Sequence, residues 1–162
     1  MKNPQISALI DQFNLQTRLF KNVLKDVDSK SFSEIPNPSA NNIEWLAGHV
    51  LNARYNLANI LGLNLKSPCA SQFDNFKAYD AGIAYLPVED IRKDWPQISE
   101  KMVARLGELN DDFINASAPF RVPVEDTSMK GIVAFFAHHE AYHIGQLGYL
   151  RKYLGLPPMS YD

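Results

Sequence analysis

Residues 131–155, GIVAFFAHHEAYHIGQLGYLRKYLG, read as one long helix. Apolar or aromatic residues recur at Ile132, Phe135, Tyr142, Tyr149, Leu150 and Tyr153, which is helical spacing. Thr127 or Ser128 is placed to cap its start and Gly155 to end it. Arg151 and Lys152 fall in the last turn, where the helix dipole favours cations. Midway along this inward stripe, three successive turns carry His139, His143 and Gln146. A polar group on a buried face costs free energy unless it has a partner. Three in a row call for one, and a bound metal would supply it.

Three further stripes lie upstream. A first helix is expected over residues 4–26, with Asn3 as cap and Pro4 in its first position. Its stripe is Ile6, Ile10, Phe13, Thr17, Phe20, Leu24 and Val27, in steps of four and three. Residues 28–41, rich in proline and serine, read as a loop. A second helix is expected over 42–61, its stripe running Ile43, Leu46, His49 or Val50, Ala53, Leu57 and Ile60, with Gly62 just beyond. A third is expected over 88–110 on Ile91, Trp95, Ile98, Met102, Leu106 and Leu109. Pro96 should kink this helix or mark a true start near Asp94. Residues 115–127 form the last loop. Four stripes with little strand pattern give an all-α four-helix bundle. The connection over 63–87 is long for a compact domain, so a crossover between the second and third helices is open. Its aromatics Phe73, Phe76, Tyr79 and Tyr85 are expected to pack as a loop cluster, the alternative being a cover over one bundle end.

The whole-chain totals exclude several classes. The chain has 162 residues, 46% of them hydrophobic, which suits one globular domain with a sizeable core. A net charge of −2 with both signs scattered offers no basic face for nucleic acid or an anionic membrane. The opening MKNPQISALIDQ lacks the apolar run of a signal peptide, and no run approaches the roughly 18 residues of a membrane span. Cys69 is the only cysteine, so no internal disulfide forms, consistent with a reducing cytoplasm.

Of the four histidines, His49, His139 and His143 fall on inward stripes of two helices. The spacing of His139 and His143 stacks both rings on one helix face. A third inward imidazole completes a set able to hold a catalytic metal with an open position. His138 sits about 100° around the helix and is expected on a flank. Gln146, one turn beyond His143, is placed to orient a ligand ring by a hydrogen bond. Residues 139–143 also spell H-E-A-Y-H, which matches the zinc-peptidase pattern with Glu140 as base. The longer form of that pattern needs glycine and histidine where this chain has Gln146 and Tyr149, and no strand precedes the helix. Glu140 is therefore expected on the flank, solvated or supporting a ligand from behind. A di-iron bundle would need two Glu-x-x-His pairs, and Glu44 is not so spaced from His49.

The segments NIEWLAGHV (42–50) and HEAYHIGQLGYLR (139–151) closely resemble the DinB/YfiT-like metal-binding four-helix bundles. The resemblance runs in helix order over roughly residues 4–156. It implies a bundle with a long crossover between helices 2 and 3, metal ligands at His49, His139 and His143, and frequent homodimers. It also implies zinc or nickel, and activity on low-molecular-weight thiols as S-transferases or thiol-dependent isomerases. Pro96 matches no feature of that family.

An all-histidine site leaves the charge of a divalent ion uncancelled and favours an anion beside it. Zinc lowers the pKa of bound water to about 7 and deprotonates a bound thiol outright. Three functions remain open: a metal-dependent transferase that activates a small thiol toward a small-molecule substrate, a metal-dependent hydrolase using hydroxide, and a non-enzymatic metal-binding module. Cys69, in the long loop with no histidine near it in sequence, is not expected to be a nucleophile.

Overall fold

A computed structural model describes residues 3–37, 40–73 and 78–162. Among the described residues seven helices follow in order: α1 Ser7–Val23, α2 Ser29–Ser33, α3 Ile43–Ile60, α4 Ala70–Phe73, α5 Val88–Glu108, α6 Asp111–Asn115 and α7 Met129–Tyr153. Among the described residues the extended pairing is a single antiparallel bridge between Ser117 and Ser128. The all-α expectation holds. The short helices α2 and α6 start where Asp28 and Asn110 accept from the backbone N–H three residues on, a capping pattern that makes a turn of helix inside the expected 28–41 loop and another just past the expected end of the third helix. Asn42 caps α3 in the same way through Trp45 N–H.

The four long helices form a ring: α1 packs on α5 and α7, and α3 packs on the same two. Side-chain contacts fix their directions. Asn3, just ahead of α1, bonds the Leu109 carbonyl while Arg92 bonds the Leu24 and Val27 carbonyls, so α1 and α5 are antiparallel. Tyr55 meets Asp94 and Arg105 bonds the Leu61 carbonyl, so α3 and α5 are parallel. Parallel neighbours require a return along the bundle, and the long connection after α3 supplies it. The crossover follows from these contacts.

The core matches the expected stripes of the first three long helices. Ile6, Ile10, Phe13, Phe20, Leu24, Leu46, Leu57, Ile91, Trp95, Ile98, Met102 and Leu106 are all buried. On α7 the stripe differs. Ile132 and Leu150 are buried as expected, but Tyr142, Tyr149 and Tyr153 are exposed, and the buried face also takes in Val133, Ala137, Glu140, Ile144, Leu147 and Arg151. Aromatic residues at helical spacing outline a face without saying which side of it points inward. Arg151 does more than sit at the helix end: its guanidinium bonds the Val23, Lys25 and Pro157 carbonyls and so closes the end of α1.

α5 begins at Val88, not near Asp94, and runs through Pro96. Pro96 is exposed and, having no N–H, gives no helical bond to the Arg92 carbonyl.

Candidate metal centre

His49 comes from α3, and His139 and His143 come from successive turns of α7. The structure brings all three together. His139 Nε2 lies 3.0 Å from His49 Nε2 and 3.2 Å from His143 Nε2. One ligand nitrogen from each ring falls within 4.8 Å of the others. All three rings are half-buried.

Hydrogen bonding sets the tautomer of one ring. His143 Nδ1 lies 2.7 Å from Gln146 Oε1, an acceptor, so Nδ1 carries the proton and Nε2 keeps its lone pair. The Gln146 amide in turn donates to Tyr142 Oη at 3.3 Å. Gln146 therefore supports His143 from behind. One proton on His139 Nε2 serves only one of its two neighbours, and the remaining nitrogens meet lone pair to lone pair. A shared cation removes that conflict. Two nitrogens each about 2.0–2.1 Å from a tetrahedral ion stand about 3.3 Å apart, close to the spacings seen here. The residues present fit a divalent ion.

Burial keeps these rings neutral. The pKa of His49 is pushed down to about 3, chiefly by desolvation and then by the two neighbouring rings. That of His139 is pushed down to about 4 by desolvation, His143 and His138, and that of His143 is lowered by desolvation against the Gln146 bond. Neutral imidazole is the form that ligates.

An aromatic wall surrounds the rings. Trp45 stacks on His49, centroids 4.8 Å apart at 10°. Phe73 meets Trp45 and His49 edge-on at 5.6 and 5.7 Å. A Cβ at Gly48 would come within 3.0 Å of the Phe73 ring, so the glycine beside His49 lets the connection close on the helix. Tyr85 packs on Phe73, and Tyr79 stacks on Tyr85. The connection's aromatics thus pack as a loop cluster, as expected, and through Phe73 also form part of the site wall; Phe76 lies outside the described residues. Phe135 and Phe136 flank His139.

The other candidates lie elsewhere. His138 is exposed on the flank of α7. Glu140 is on neither the flank nor the ligand face. It is buried in the core with both oxygens engaged by Arg54, which removes it as a free base or as a support for a site ring. Its register, three after Ala137 and four before Ile144, is the signal that places it inward. Nothing in the sequence singles out Arg54, which follows Ala53 within a helix that is buried on most sides. The Cys69 thiol is buried against the Gly48 carbonyl, and desolvation raises its pKa, the opposite of an activated nucleophile.

A model of the DinB superfamily matches residues 12–147. The chain is also similar to a solved structure, the DinB-like protein YjoA of Bacillus subtilis, with 18% identity, a TM-score of 0.66, and coverage of 95% of this chain and 96% of that one. That likeness is one of fold. No curated protein matches the chain.

Proposed function

The chain belongs to the DinB superfamily, and on that premise we propose that it binds a divalent metal ion, zinc or nickel, and works as a metal-dependent transferase acting on a low-molecular-weight thiol. The observation that carries the metal reading is the convergence of three Nε2 atoms from two helices, with contacts of 3.0 and 3.2 Å. A divalent ion held there would supply the positive charge that stabilises a thiolate, the reactive form of sulfur.

The chain's own residues account for the rest. His49, His139 and His143 present lone pairs. Gln146 fixes the proton of His143 on Nδ1, so that Nε2 stays a donor of electrons. Trp45, Phe73, Phe135 and Phe136 surround the rings with apolar surface, which suits a small apolar electrophile and limits water. A metal-dependent hydrolase is the competing reading, and the position of Glu140 counts against it. In the H-E-x-x-H scheme this carboxylate would manage protons, and here Arg54 occupies both its oxygens.

Metal analysis of protein made without a histidine tag tests the first half of the reading. One equivalent of zinc or nickel is expected, and His139→Ala should lose it. A His139→Ala protein that keeps stoichiometric metal would refute the site.

A further inference from the structure

The Arg54–Glu140 pair takes no part in the chemistry above, yet it sits at the middle of the bundle. Arg54 Nε donates to Glu140 Oε2 at 2.9 Å and Nη2 donates to Oε1. Nη1 donates to Thr17 Oγ1 and Ser99 Oγ, each at 2.6 Å. The guanidinium lies 3.9 Å from the Trp95 ring centroid. Side chains from α1, α3, α5 and α7 therefore meet at one point. Arg54 is 1% exposed and Glu140 3%.

Such a pair is poor evidence for stability, because the desolvation of two charges offsets most of their attraction. Its best-attested use is to specify register, since a displaced partner leaves a charge buried and unpaired. We propose that Arg54 and Glu140 are positioning residues that fix the register of α7 against α3, and so hold His139 and His143 opposite His49. In its functional consequence the inference rests on the metal reading above.

The grip falls on the right segment. Glu140 follows His139 directly and precedes His143 by three residues, while Arg54 lies five residues from His49 on the same helix. The remaining inward residues of this part of α7 are Ala137, Ile144 and Leu147. Their side chains are aliphatic and pack without direction, so against α3 a slip that keeps aliphatic on aliphatic costs them little; the other directional contact here, Gln16 Nε2 donating to the Ala137 carbonyl at 2.7 Å, ties α7 to α1. One helical turn is about 5.4 Å. A slip of that size would part rings whose nitrogens now lie 3.0 Å apart. A two-bond fork between planar groups tolerates no such slip.

The test replaces both charges by unbranched apolar side chains of similar reach, Arg54→Met with Glu140→Met, in the full chain. Zinc affinity and the imidazole nitrogen shifts of the metal-free protein are measured, with Met102→Ala as a destabilised control whose substitution lies in the core and leaves every hydrogen-bond partner of Arg54 and Glu140 in place. The double variant should fold cooperatively, bind zinc at least about tenfold more weakly, the range seen when groups supporting metal ligands are removed, and show altered His49 and His139 shifts. Met102→Ala should keep wild-type zinc affinity. A folded double variant with wild-type affinity and unchanged shifts would overturn the proposal. Should the double variant not fold, Ser99→Ala decides: it removes one Arg54 acceptor, and affinity is expected to fall, whereas unchanged affinity would overturn the proposal. A wild-type chain that binds no zinc would refute the metal reading alone, because the imidazole shifts judge positioning without an ion.

Discussion

Burial of the three rings couples folding to pH. Folded His49 and His139 are held to about 3 and about 4, mainly by desolvation. In an unfolded chain the same rings titrate near their ordinary value, about 6.5. Between those values the unfolded chain takes up protons that the folded chain refuses. The stability tied to neutral rings is therefore complete above about pH 6.5 and is lost as the pH falls toward 4. The urea midpoint of the metal-free protein should drop across that window, and His49→Leu should flatten the drop. A wild-type midpoint that stays level from pH 7 to 4.5 would contradict neutral, buried rings. Metal occupancy should fall over the same acid range, because protonated imidazole does not ligate. His138 is exposed on the flank of α7, and His138→Ala should retain a full equivalent of zinc.

The histidines were legible in the sequence because their chemistry is local: a spacing of four on one helix stacks two rings whatever else the fold does. The orientation of that helix was not local. α7 is apolar or aromatic on more than one side, so its tyrosines looked as inward as its aliphatics. Three-dimensional packing decided for Ile144 and Leu147 and against Tyr142, Tyr149 and Tyr153. Glu140 turns inward rather than onto the expected flank for the same reason, and its partner Arg54 lies 86 residues away, a pairing no periodicity reveals. Arg54→Met alone would leave Glu140 buried and unpaired. It should cost about 3–5 kcal/mol in urea denaturation. A loss under about 1 kcal/mol would mean that water reaches the carboxylate. On α5, Pro96→Ala should add about 1–3 kcal/mol, since a proline inside a helix costs about 3 kcal/mol and its restraint of the unfolded chain returns part of that. Calorimetry that finds the alanine variant less stable would give Pro96 a packing role in the cleft of 430 Å³ that it lines with Phe20 and Trp95.

Across the whole molecule, the parallel pairing of α3 and α5 forces the chain to run back along the bundle, and the returning segment lays Phe73 against His49. Length in the sequence permitted that return; only the contacts of Tyr55 with Asp94 and Arg105 with the Leu61 carbonyl establish it. The result is a three-imidazole cluster at an aromatic wall, with its nearest carboxylate in sequence locked to a guanidinium in the bundle core. Ester or amide hydrolysis gains from a base that manages protons, typically by 10²–10⁴-fold. Transfer from a thiol needs that base less, because the sulfur is already deprotonated when held beside a divalent cation. Metal-loaded protein should therefore accelerate conjugation of a small thiol to an apolar electrophile. Chelation should abolish the gain, and metal return should restore it. Trp45→Ala and Phe73→Ala should raise KM for the electrophile more than they lower kcat, since they remove apolar wall and leave the three nitrogens in place. Glutathione, bacillithiol-like and mycothiol-like thiols assayed against several acceptors, beside ester and amide substrates without thiol, separate the two chemistries. Turnover of esters with no thiol present, while every conjugation stays at background, would replace the transferase with a hydrolase at the same three histidines.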